Sequence, residues 1–427
     1  MVGSAGSVHP TQGSFLTIRY EGNQLSRDAV RRSSNGDGVQ RVTWKQVEAF
    51  RLARQHLTRR APPSSLTSLP GEICGAQAQL LLAGQLSIWA RVRGVKLPDL
   101  EAALWSKRSL AKAWCMRRTM FILPSDELAT FVRGSALRAE REMRWVLGRG
   151  VPKEKLERLV GAVLNALDDP TTQAALAVKV SKSMRCNVRY KAGGVGWGNR
   201  KKVPWVDFGE LALPANYLLH LAGSRGVYCS GPSEGNESTF VRADRWVPHW
   251  KDVSQAKAER ELLRRYLMAF GPSTVSDFAI WTGMTAGDAR RIWSLGEDGI
   301  VPVDVEGWNA AVLRSDLPEL VKAHLSGTVV KLLPFFDSFL LGHKSHRNIV
   351  GPVEHRQVYR PQGWVSPVLL VDGRAAGVWS HVRRKGRLEV EIKPFSRLLA
   401  QVSTLAREEA EELGAFLGCP DVMVNIR

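Results

Sequence analysis

The chain is short of acid. Its 427 residues hold 41 Asp and Glu against 60 Lys and Arg, a formal net charge of +19 at pH 7. That imbalance argues against a small neutral ligand as the main partner and for a polyanion, with nucleic acid the leading class. Cysteine is scarce too: Cys74, Cys115, Cys186, Cys229 and Cys419 are odd in number and scattered, with no C-x-x-C pair. A disulfide framework is therefore not expected, and a reducing compartment is. No apolar run reaches the roughly 18 residues of a spanning helix, and no secretory apolar core follows the first charges. The expectation is a cytoplasmic, nucleoid-associated protein without membrane contact. Its 44% hydrophobic content is ample for folded cores, and its length calls for more than one domain.

Residues 1–41 are rich in Ser, Gly, Asn and Arg and keep no sustained period, as in a flexible basic arm. Helical spacing begins in WKQVEAFRLARQHL and stops at Pro62-Pro63. A helix is predicted over most of Gln79 to Val92, and another from Pro98 through LPDLEAALWSKRSLAKAW. MRRTMFILP, Met116 to Pro124, reads as a strand, and a helix follows with Asp126 and Glu127 at its start. LLRRYLMAFGPSTVSDFAIWTGMTAGDARRIW carries the clearest helix-turn-helix signal, broken at Gly271-Pro272 and Gly283, with Ser273 or Thr274 as the cap. Beyond Thr328 the texture is that of strands, with turns at Asp372-Gly373 and Lys385-Gly386, closed by a helix over Ser396 to Leu417.

Four segments taken together, GAQAQ, RRYLMAFGPSTVSDFAIWTG, LLPFFDSFLLGHKSHRNIV and VLLVDGRAAGVW, resemble the winged-helix DNA glycosylases of the AlkZ and YcaQ type. The resemblance runs from about Val42 to Leu417. It implies an α+β fold in which tandem winged-helix units and a β-rich C-terminal module form a concave, positively lined channel for duplex DNA. On this chain the units fall at 42–160, 161–252 and 253–328, with the C-terminal module at 329–427. The family's catalytic signature is a Gln, one apolar residue, then Gln or Asp, which is Gln77-Ala78-Gln79 here. Without those surroundings, two glutamines beside a helix are ordinary surface residues. Residues two apart lie about 200° apart on an α-helix but share a face in extended chain. If both act on one base, Gln77 lies ahead of the first turn.

A neutral amide suits only a pre-activated bond. An N3- or N7-alkylated purine already carries positive charge, so the departing base needs no acid. What remains is to place a water and to stabilise an oxocarbenium-like sugar, for which an amide oxygen is a usable acceptor and dipole. One glutamine would orient the water and the other would steady it or contact the sugar. No lysine lies near the pair in sequence to form a Schiff base, so a monofunctional enzyme that leaves an abasic site is expected. The resemblance also allows unhooking of interstrand cross-links as an activity within the family's range.

Cations beside aromatics are the second signal. Lys182, Arg185, Arg189 and Lys191 precede GGVGWGNRKKVPW, where Arg200, Lys201 and Lys202 stand between Trp197 and Trp205, as in a hairpin resting on phosphates. His343, Lys344, His346 and Arg347, and Arg383, Arg384 and Lys385, are further candidate DNA contacts. Each set has an ordinary solvated turn as its alternative. His343, His346 and His355 show no zinc spacing, and neither a metal nor a cofactor is expected. Asp337 and Asp372 suit structural roles, and Phe278 and Trp281 suit the core. Where the family commonly has a glycine and then a histidine, this chain reads Arg117-Arg118-Thr119-Met120-Phe121. The competing function is a non-catalytic winged-helix DNA-binding protein, a regulator or a sequestering protein. RNA is a remoter partner, and a monomer is favoured.

Overall fold

A computed structural model describes residues 39–192, 202–208, 211–223, 227–235, 237–384 and 386–427. The described residues form a mixed α+β structure of helices and five small sheets, four of three strands and one of five. At the expected boundary, Gln40–Val42 pairs in parallel with the Ile300–Val305 strand, and Val42 is buried there. The Trp44–Arg54 helix follows, capped by Thr43 and Gln46 in a reciprocal box. Val47 and Phe50 pack with Val303, Val305, Val312 and Leu320, so the first helix joins a core made mostly by residues some 260 positions later.

The helix predicted from Pro98 to Trp114 is corrected. It ends by Ser106, and Leu110–Trp114 is a strand paired antiparallel with Met120–Pro124. Ala and Leu give LAKAW good helix propensity, but pairing and burial of Leu110, Ala111 and Ala113 override it. The strand predicted from Met116 is shortened for a related reason. Met116–Arg118 forms the turn of this hairpin, with Arg117 at φ 53° and Arg118 at φ 59°. The Met120–Pro124 strand is central, since Ala76–Gln77 pairs along its other edge.

In the 253–328 stretch, helices Gln255–Phe270, Val275–Thr282 and Ala286–Ser294 lead into a hairpin of Ile300–Val305 and Trp308–Leu313. Thr274 is the cap, boxed with Asp277, while Ser273 pairs its backbone with Ala311 and Gly283 closes the second helix at φ 73°. Phe278 and Trp281 are fully buried.

The C-terminal sheet runs Val330–Leu333, Val368–Val371, Arg374–Arg384, Arg387–Pro394, Asp421–Ile426. Its last strand, parallel to the fourth, was not foreseen, and the preceding helix is Ala400–Leu417 rather than starting at Ser396. Asp372 and Gly373, at φ 48° and 86°, make the expected turn, and Asp372 Oδ1 accepts from the Val329 N–H at 2.7 Å. Leu332, Leu369 and Phe416 share one core with Leu86, Ile88 and Trp89, and the Trp89 and Phe416 rings lie 6.1 Å apart, so the C-terminal module and the Leu81–Trp89 helix are buried together.

Candidate active site

The Gln-Ala-Gln segment crosses from strand to helix. Gln77 sits in the short strand Ala76–Gln77, opposite Phe121, and the helix does not begin until Leu81. Extended chain through Gln77 is what two glutamines serving one base require. Gln77 is only 5% exposed and Gln79 is half-buried, so neither is a solvated surface amide.

The backbone around the segment is tightly determined. Gly75, at φ 99°, approaches Phe121 so closely that a Cβ would lie 2.7 Å from its ring. On the other side Gly84 packs on Ala78, where a Cβ would lie 2.5 Å from the alanine methyl. The middle residue of the motif is therefore pinned between sheet and helix. Ala78 also donates its N–H to Met120 O at 2.7 Å.

Two residues of the C-terminal module hold the segment's flanks. Ser338 Oγ donates to Gly75 O at 2.6 Å, just before the motif. Asp337, completely buried, accepts from Arg91 at 2.7 and 2.8 Å and from Ser87 Oγ at 2.8 Å, on and just beyond the helix that follows the motif. Its Oδ1 also accepts from the Phe339 N–H, so the carboxylate is saturated and structural.

Both glutamine oxygens accept from one neighbouring segment. Arg117 Nη2 donates to Gln77 Oε1 at 2.6 Å, and the Met120 N–H donates to Gln79 Oε1 at 3.3 Å. The Arg117 guanidinium also donates to Trp281 O at 2.9 Å and lies 4.1 Å from the Trp281 ring centre. Desolvation pulls its pKa down to about 10, which leaves it charged at neutral pH. The same burial raises the thiols of Cys74 and Cys115, so neither is a ready thiolate. In the sequence Arg117 stands out only as a departure from the commoner glycine-histidine pattern, and nothing in a one-dimensional pattern pairs it with Gln77. A cavity of about 70 Å³ adjoins the same turn, walled by Trp114, Cys115, Arg118, Glu142, His220 and Tyr228, and neither glutamine lines it.

The candidate DNA contacts are placed unevenly. Arg200, Lys201 and Lys385 lie outside the described residues, and Lys202 opens the strand Lys202–Phe208 that pairs with Val188–Ala192. The hairpin expected around the Gly-rich loop is thus present, with Lys191 Nζ 4.3 Å from the Trp205 ring centre and Arg189 paired with Asp207. Arg383 and Arg384 are exposed at the end of the long C-terminal hairpin. Lys344 and Arg347 are exposed. His346 is half-buried and stacks on Tyr359 at 3.7 Å, its pKa lowered to about 4 by burial and by His355. His343, a candidate DNA contact in the sequence, is placed differently from its neighbours. It is buried, its Nε2 lies 2.8 Å from Phe270 O, and desolvation together with Arg51 lowers its pKa to about 3, so it is neutral. Its ring lies edge-on to Phe270, 6.1 Å between centres, and the same phenyl lies 2.3 Å from a Cβ position at Gly342, so the imidazole is packed inside the protein.

Comparison with known proteins places the whole chain. An interstrand DNA cross-link repair glycosylase of Streptomyces sahachiroi is 31% identical over 371 residues, covering 83% of this chain and 91% of that protein. The solved structure of Streptomyces sahachiroi DNA glycosylase AlkZ superimposes with a TM-score of 0.72 at 26% identity, covering 91% of this chain and all of that one. The family model described as DNA glycosylase AlkZ-like matches residues 71–416, a span that takes in the glutamine motif and both of its C-terminal anchors, and the chain belongs to that family of DNA glycosylases.

Proposed function

We propose that this DNA glycosylase hydrolyses the N-glycosyl bond of cationic N3- and N7-alkylated purines in duplex DNA, with Gln77 and Gln79 as the acting pair. The observation that carries the reading is the burial of Gln77 in extended chain, with both amide oxygens oriented by the Arg117–Met120 segment. In the reaction the C1′–N bond breaks with its electron pair going to the base, which leaves neutral. Water adds to the cationic sugar and its proton passes to solvent, so no titrating base is required. The name of the Streptomyces relative supports extending the substrate to cross-links between strands, and hydrolysis by the route above leaves an abasic site.

The three-helix-and-hairpin unit at 253–328 supports reading the chain as tandem winged-helix units, divided at 160, 252 and 328, around a concave DNA channel. Arg200, Lys201, Lys202, Lys344, His346, Arg347, Arg383, Arg384 and Lys385 are the proposed contacts on that channel. His343 serves the fold instead. The protein is proposed to act as a nucleoid-associated monomer; among the described residues no helix is long and apolar enough to cross a membrane.

Duplex carrying N7-methylguanine, incubated with wild type, Gln77→Ala and Gln79→Ala, is assayed for free base and alkali-sensitive sites. Loss of release with retained binding is expected from both variants. Tight binding by wild type with no base released from any cationic lesion would leave only a DNA-binding role. Affinity is expected to fall by orders of magnitude, roughly 10³ or more, between 50 and 200 mM salt.

A further inference from the structure

The Gln77 amide has two edges of nearly equal size, one a pure acceptor and one a pure donor. Turning the group over exchanges them without changing its shape. In a buried site, what fixes the choice is the partner across the hydrogen bond. Here that partner is the Arg117 guanidinium, which can only donate. With Oε1 facing it the contact is charge-assisted; turned over, the amide NH₂ would meet a second donor.

The guanidinium is itself immobilised. Nη1 donates to Trp281 O at 2.9 Å, and the plane lies 4.1 Å from the centre of the Trp281 ring and 5.4 Å from that of Phe121. Phe121 is the residue directly opposite Gln77 across the strand pair, so side chain and backbone register agree. The backbone under Arg117 is left-handed, at φ 53°, a conformation that L side chains disfavour. A glycine would sit there without strain, so the position is occupied by arginine against local preference.

We propose that Arg117 is a positioning residue for base release, which selects the orientation of the Gln77 amide and leaves the second lone pair of Oε1 to hold the attacking water. The proposal rests on the reading of Gln77 as an acting group. It makes no use of contact between Arg117 and DNA. Loss of the side chain lets the amide populate both orientations, which lowers the rate of the chemical step while leaving duplex binding in place.

The test is single-turnover release of N7-methylguanine from duplex, with duplex affinity measured across a salt series. The variants are Arg117→Gly, Arg117→Met, Arg117→Lys, Gln77→Ala and Gln77→Ala combined with Arg117→Gly. Arg117→Gly removes the donor and relieves the backbone; Arg117→Met removes the donor but keeps apolar cover on Trp281 and Phe121, should the glycine variant fold poorly. Both are expected to release base about 10- to 100-fold more slowly, the range set by one charge-assisted hydrogen bond. The slope of log affinity against log salt should be unchanged, and Arg117→Lys should recover part of the rate. In the Gln77→Ala background, Arg117→Gly should add no further loss. A wild-type rate in both donor-free variants, fully additive losses in the double variant, or a salt slope reduced by about one phosphate contact would each overturn the proposal. A wild-type rate in Gln77→Ala would instead remove the reading of Gln77 beneath it.

Discussion

Ser338 donates its hydroxyl to the carbonyl of Gly75 at 2.6 Å, a bond between residues 263 positions apart in sequence. Both groups are buried, so the bond is made away from water. Through it the C-terminal module sets the height of the strand that carries Gln77.

Ser338→Ala leaves the Gly75 carbonyl buried without that donor, a loss of about 1–3 kcal/mol. Denaturant unfolding should show it as a lower midpoint with the same slope. Base release should fall by more than duplex binding does, since the strand is freed at its start.

Asp337 and Arg91 form a fully buried ion pair at 2.7 Å. Removing one partner strands the other charge, so Asp337→Leu or Arg91→Met is expected to cost about 3–5 kcal/mol. The double variant should recover most of the loss. If the double variant is as unstable as the sum of the singles, the pair is not the unit described here.

Gly84→Ala places a methyl 2.5 Å from the Ala78 Cβ, with Ala78 Cα at 3.1 Å behind it. Overpacking of this kind costs about 1–3 kcal/mol, and the relaxation must displace the middle of the Gln-Ala-Gln segment. The expected signature is a folded protein, by near-ultraviolet circular dichroism, with impaired base release.

His343 gives a pH signature. Its folded-state pKa, about 3, lies below the ordinary histidine value of 6.5 because of burial and the nearby Arg51, partly opposed by Asp277. The unfolded chain therefore takes up this proton first. Stability is fully present above about pH 6.5 and is lost as pH falls toward the folded value, by up to about 1.4 kcal/mol per pH unit. His343→Asn should flatten the stability profile between about pH 6 and pH 4 relative to wild type; parallel profiles would show that the ring titrates normally.

The sequence by itself determined the partner class, through +19 of net charge, and the family, through segments such as RRYLMAFGPSTVSDFAIWTG whose residue order survives without coordinates. It also determined local elements whose signals are local. Thr274 and Asp277 cap a helix, and Asp372-Gly373 turns a hairpin, because each depends on neighbours within a few positions. LAKAW misled for the opposite reason: its propensity is helical, while its conformation is decided by strand pairing with Met120–Pro124. His343 misled because exposure is a property of the packed chain, and an imidazole in a basic run reads as surface until Phe270 is seen beside it.

Only the tertiary structure decided what holds the glutamines. Arg117 is 40 positions from Gln77 and meets it because a central strand turns back beside the motif. Asp337 and Ser338 come from the opposite end of the chain, brought there by a core shared between the C-terminal sheet and the Leu81–Trp89 helix. A hydrogen bond reaches about 3 Å, and sequence separation carries no information at that scale until the chain has folded.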